Sequence, residues 1–141
     1  MKQVHVRRTI HAPVTAVWAV LTDPQRLQTA PTGVTRIEGT IEKDARIKLW
    51  SEASPGRAFP LQVTELVPHR RMVWQGGMPL GLFKGVREFD LREQGASTDF
   101  SMTETFTGLM LPLIWKSMPD LQPSFETFAD GLDAAVRGVD T

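Results

Sequence analysis

Val86-Arg87-Glu88-Phe89-Asp90-Leu91-Arg92, a turn at Gln94-Gly95, then Thr98-Asp99-Phe100-Ser101-Met102-Thr103-Glu104-Thr105-Phe106: these two stretches alternate like the arms of one antiparallel hairpin. Successive side chains of a strand point to opposite faces. Glu88, Asp90 and Arg92 share one side, and their charges mark it as solvated. Phe89 and Leu91 face inward, and parity takes Arg87 in with them. In the second arm Asp99, Ser101, Thr103 and Thr105 point outward, while Phe100, Met102, Glu104 and Phe106 point in. Closing the turn with Glu93 opposite Thr98 sets Leu91 against Phe100, Phe89 against Met102, and Arg87 against Glu104. Directly opposed Cβ atoms lie about 4.5–5.5 Å apart, within reach of a guanidinium–carboxylate bond. A lone buried charge costs several kcal/mol, so the two are expected to pair. Two roles fit such a pair: it sets strand register at a sheet end, or it anchors the polar group of a mostly apolar ligand.

Working outward, residues 4–10 read as a strand with Val4, Val6 and Ile10 on one face. Pro13 suits a first helical turn, and Val14, Val17, Trp18 and Leu21 follow as one helical stripe. Thr22-Asp23-Pro24 stops that helix, with Asp23 placed to cap a short second one through Leu27. Strand patterns follow at 35–41, 45–51, 59–67, 71–76, 86–93 and 98–106. Lys43-Asp44, Ser54-Pro55-Gly56, Pro68-His69, Gly76-Gly77 with Pro79 and Gly81, and Gln94-Gly95 separate them. Leu121, Phe125, Phe128, Leu132, Ala135, Val136 and Val139 lie on one face of a long C-terminal helix, with Pro119 and Pro123 near its start. The expected fold is α+β: a single domain over residues 1–141, with a seven-stranded antiparallel sheet wrapped around that helix and two short helices after the first strand. A twisted sheet around a helix is expected to leave a hollow, lined by ten residues: Arg87, Phe89, Met102, Glu104 and Phe106 of the hairpin, Met72, Trp74 and Trp50, and Phe125 and Phe128. The plain alternative for each of these aromatics is core.

Composition excludes more than it assigns. Sixteen Lys+Arg balance sixteen Asp+Glu, with no basic run, which argues against nucleic acid as a partner. The absence of cysteine removes disulfides, thiolate metal sites and a Cys nucleophile. His5, His11 and His69 lie in different elements without metal-ligand spacing, so neither metal nor cofactor is expected. The polar, alternating start is not a signal peptide, and the longest apolar run, 109–115, is far short of the roughly 20 residues of a membrane span. A cytoplasmic chain without an integral membrane segment is the expectation. That apolar run is expected to be buried, with a lid over the cavity mouth second and a homodimer patch third.

Ile10-His11-Ala12-Pro13, Val17-Trp18 and Leu21-Thr22-Asp23 together form I-x-A-P-x-x-x-V-W-x-x-L-T-D, which resembles the opening of the SRPBCC superfamily of START-like, Bet v 1-like helix-grip proteins. Val67-Pro68-His69-Arg70-Arg71-Met72-Val73-Trp74, Phe83-Lys84-Gly85 and Glu104-Thr105-Phe106-Thr107-Gly108-Leu109 look like its bacterial polyketide cyclase/dehydrase-like branch. The resemblance covers essentially the whole chain. It implies a hydrophobic-ligand pocket between sheet and long helix. Glu104 matches the acidic residue of the family's E-x-F-x-G segment. Arg87 stands where many relatives have histidine in G-x-H-x-F, which tells against His-dependent acid–base chemistry, because guanidinium does not cycle a proton at neutral pH.

Three functions follow as expectations. The first is binding or transport of a small hydrophobic molecule, lipid, aromatic or polyketide-like, anchored at Arg87 and Glu104. The second is a cyclase or dehydratase in which Glu104 acts as base and Arg87 steadies an enolate oxygen. A carboxylate already bound to a guanidinium is a poor proton acceptor, which ranks it second. The third is a protein-interaction module similar to chaperone ATPase activators, which needs an exposed docking patch such as 109–115.

Overall fold

Gly95 opens the two-residue loop of the central hairpin with φ of 61°, the conformation a tight hairpin turn needs at that position and glycine adopts freely. In the computed structural model, which describes residues 1–118 and 120–138, the hairpin arms are the longest strands. The elements run β1 (Lys2–Ile10), α1 (Val14–Leu21), α2 (Pro24–Thr29), β2 (Val34–Glu38), β3 (Arg46–Ser51), β4 (Phe59–Val67), β5 (Arg71–Met78), β6 (Phe83–Gln94), β7 (Ser97–Thr107), α3 (Leu111–Ser117) and α4 (Gln122–Val136). The seven strands form one sheet in the order β1-β7-β6-β5-β4-β3-β2, antiparallel at every pairing. Asp23 caps α2, its carboxylate accepting from the Gln25 and Arg26 amides. The expected register holds throughout the hairpin: Leu91 faces Phe100, Phe89 faces Met102 and Arg87 faces Glu104.

Bulges between Val34 and Arg36 and between Val63 and Glu65 bend β2 and β4, curling the sheet toward α4. Helix α4 presents Phe125, Phe128, Ala129, Leu132 and Ala135 to the sheet. Pro119 and Val139, which the sequence assigns to this helix region, lie outside the described residues. Polar clips fix the helix along β1. Gln122 Nε2 donates to the His5 carbonyl at 2.9 Å, and Arg8 reaches Glu126 at 2.6 Å and Asp130 at 3.1 Å. On the outer face Arg71 gathers Glu65, Glu88 and Asp90 at 2.9–3.1 Å, tying three strands together. Burial opposes its charge, but the three carboxylates outweigh that and raise its pKa.

The Arg8 hydrogen bond, then that of Gln122, holds the Glu126 carboxyl below its ordinary value. A carboxyl lowered on folding stabilises the fold above its unfolded pKa, and that stability is lost as pH falls through the folded one. Glu126→Gln is therefore expected to lower the neutral-pH melting temperature slightly and to flatten its fall in acid, below an ordinary value of 4.5. Parallel melting curves against pH for both proteins would remove this role.

Three expectations need correction. The pair Gly76-Gly77 is not a turn: β5 continues to Met78 and β6 begins at Phe83, so the reversal sits at 79–82. Gly77 is glycine because a Cβ there would lie 2.3 Å from the Phe83 carbonyl oxygen. Secondly, 111–117 folds as an additional short helix, α3, whose Pro112 occupies its first turn. Thirdly, 109–115 is not simply buried: Leu111 is, but Leu109 and Leu113 are exposed, because one turn of helix directs only one side of the run at the sheet. Among the described residues no helix is long and apolar enough to cross a membrane.

Candidate functional site

Register brings the inner-face residues into rows across the sheet. One row reads Val63, Trp74, Arg87, Glu104, Val4, and the next Leu66, Met72, Phe89, Met102, Val6. The inward charges predicted from alternation do pair: Arg87 Nε donates to Glu104 Oε1 at 2.8 Å, and Nη2 reaches the same oxygen at 2.7 Å. Both bonds converge on Oε1, so the guanidinium leaves Oε2 without a bond from it. Oε2 occupies space that Gly85 provides, since a Cβ at that glycine would sit 2.6 Å from it. From the other side the Arg87 guanidinium lies over the Phe125 ring at 4.8 Å, so α4 covers the pair. The pair keeps 24% and 14% of its side-chain surface accessible, on a face otherwise occupied by buried apolar groups.

Around this pair the aromatic residues interlock. Trp74 meets Phe89 edge-on at 4.7 Å, Phe89 meets Phe128 at 5.9 Å, and Phe106 lies between Phe83 at 5.9 Å and Trp115 of α3 at 5.6 Å. Met72, Phe89 and Met102 have no measurable accessible surface, so no water-sized space borders them. The deep part of the expected hollow is thus packed by rings; what stays accessible is the shallower part at Arg87 and Glu104. The half-buried Leu61, Phe83, Trp115, Met118 and Leu121 pack on this core as well.

Trp74 carries a feature that alternation could not reveal. Its side chain is buried at 1% exposure, and its indole Nε1–H has no hydrogen-bond partner among the described residues. Leaving such a donor unsatisfied costs about 1–3 kcal/mol. It stands one strand from Arg87, its direct cross-strand partner.

Trp50 does not join this group. It follows Leu49 on β3 and so points to the opposite face, where the Arg36 guanidinium covers its ring at 5.1 Å. A cavity of about 650 Å³ also lies away from α4. Its walls take Lys48, Gln62 and Lys84 from the outer face of the sheet and Ile47, Leu61 and Phe83 from the inner one, and none of the ten candidate residues lines it.

A curled seven-stranded sheet, a long covering helix and two short helices after the first strand define a helix-grip fold. The family described as polyketide cyclase / dehydrase and lipid transport matches residues 1–137, and the chain belongs to it. No curated protein matches the chain in sequence. Among solved structures, MLL2253 from Mesorhizobium loti superimposes with a TM-score of 0.77 at 15% identity, covering 99% of this chain and 100% of that one. DynU16, of the dynemicin biosynthetic locus, gives 0.74 at 18% identity over 97% of this chain and 48% of that one. CalU16 from Micromonospora echinospora gives 0.68 at 19% identity over 96% and 74%. At these identities the likeness is one of fold.

Proposed function

We propose that the chain binds a small, mostly apolar molecule carrying one hydrogen-bond-accepting or anionic group, held on the inner face beside Arg87 and Glu104. The observation that carries this is a partly accessible ion pair on an apolar face; Trp74, whose buried indole N–H is unpartnered, is the cross-strand neighbour of Arg87. An acceptor oxygen on the ligand would bond the guanidinium, and it would reach the Trp74 donor only by displacing the groups that close it from solvent. Phe106 and Phe125 flank the polar anchor, while Met72, Phe89, Met102 and Phe128 form the packed floor beneath. The family description, which names lipid transport beside cyclase and dehydrase, is consistent with an apolar ligand. Native mass spectrometry of protein purified without denaturant is expected to show an adduct that organic solvent extracts. With dodecanoate as probe, the Trp74 indole ¹H–¹⁵N resonance is expected to move on titration. Binding that leaves this resonance fixed while shifting amides at Gly39 and Gly77 would put the probe in the 650 Å³ cavity away from α4 and end this assignment.

A second function, cyclisation or dehydration of a polyketide-like chain, is favoured by one detail. Both Arg87 bonds fall on Oε1, leaving Glu104 Oε2 to accept a proton while the guanidinium steadies an adjacent oxyanion. Turnover of an acyl substrate that Glu104→Gln abolishes, with binding retained, would put this reading first.

A further inference from the structure

We propose that the end of the molecule built by the β5–β6 turn and the start of α3 docks onto an anionic lipid bilayer. Four large apolar side chains project there: Leu80 is 91% exposed, Leu109 84%, Leu113 65% and Met78 45%. They belong to a single surface, because the two segments are joined by backbone hydrogen bonds. The Leu109 amide donates to the Gly81 carbonyl at 3.2 Å and the Met110 amide to the Leu82 carbonyl at 2.8 Å. Leu80 adopts a left-handed backbone, with φ of 62°, at the tip of the turn. A bulky residue in that conformation, pointed at water, opposes both backbone preference and hydration, so its place calls for a partner that takes the side chain up.

Charge identifies the partner. Residues 76–86 and 105–118 contain no Asp or Glu, but they contain Lys84 and Lys116. Lys2 joins them, its Nζ lying 5.8 Å above the ring of half-buried Trp115. The nearest acids in sequence are engaged: Glu88 holds Arg71, Glu104 holds Arg87, and Asp120 accepts from the Gln122 amide at 3.1 Å. Protein interfaces favour Tyr, Trp and Arg and are depleted in Lys. Protruding leucines with lysines in the same segments, and a tryptophan on α3 beside Lys2, instead match the acyl–headgroup boundary of a bilayer with anionic lipids. Leu80, Leu113, Lys84 and Lys116 are not among the inner-face site residues, so the docking surface stands or falls separately from that site.

Co-sedimentation with vesicles tests this. The protein is expected to bind phosphatidylcholine vesicles containing about 30% phosphatidylglycerol, and to bind pure phosphatidylcholine far more weakly. Leu80→Glu with Leu113→Glu should lower partitioning by at least about tenfold. Lys84→Gln and Lys116→Gln should each lower it roughly fivefold, and about 0.5 M salt should abolish the preference for anionic lipid. Because these side chains are exposed, the variants should melt like the wild type. Three results would overturn the proposal: no vesicle binding by the wild type, binding unchanged in the leucine variants, or equal binding to neutral and anionic vesicles. A concentration-dependent dimer that the leucine variants abolish would also overturn it, giving the surface to a second copy of the chain.

Discussion

Arg87→Met is expected to weaken dodecanoate binding roughly ten- to a hundredfold in isothermal titration, the equivalent of a charge-assisted hydrogen bond of about 1.5–3 kcal/mol. The melting temperature should fall by only a few degrees. Methionine keeps the stem packed against Phe125, where a thioether sits well on an aromatic ring. Removing one member of a fully buried ion pair costs about 3–5 kcal/mol, but this pair retains accessible surface, so water compensates Glu104 in part. Arg87→Lys should fall between, since an ammonium keeps the charge but loses the planar fork. The double variant Arg87→Met with Glu104→Gln should recover the lost stability without recovering affinity. The opposite pattern, a large thermal loss with unchanged affinity, would make the pair a register pin alone.

The largest effect on stability is expected from a smaller change. Gly131→Ala would ordinarily strengthen a helix by about 1 kcal/mol. Here a Cβ at position 131 would lie 2.2 Å from the Pro31 carbonyl oxygen and 2.6 Å from the Thr32 amide nitrogen. Backbone on both sides cannot step aside as a side-chain tip can. The α2–β2 loop is itself tied down, with Thr32 buried and its hydroxyl donating to the Leu27 carbonyl at 2.7 Å. Helix α4 must therefore move off the sheet, costing about 3 kcal/mol or more, or roughly 6–12 °C in a calorimetric melt. A melting temperature at or above the wild type would mean that helix and loop are not in contact at this point.

Much of this was legible in the chain itself, and the reason is periodicity. Alternation in 86–93 and 98–106, together with a glycine turn of two residues, leaves one register that buries Phe89, Leu91, Phe100 and Met102 together. That register then forces Arg87 against Glu104. The stripe through Phe125, Phe128 and Leu132 likewise requires an apolar sheet face to cover. Local signals of these kinds act between near neighbours, so a single sequence carries them.

What only tertiary structure decided are matters of distance between segments far apart in the chain. Alternation with Ile47 and Leu49 already turns Trp50 outward, but the edge-on packing of Trp74 against Phe89 and the burial of its unpartnered indole N–H depend on residues of other segments. The apolar run 109–115 looks like core until the β5–β6 turn bonds to its start, leaving Leu109 and Leu113 nothing to pack against. How much of the hollow under α4 is filled depends on how closely the helix approaches, which Gly131 permits and the rings of Trp74, Phe89 and Phe128 then occupy. Parity and propensity are properties of a segment, whereas packing density is a property of the space that segments enclose, and no segment contains that information alone.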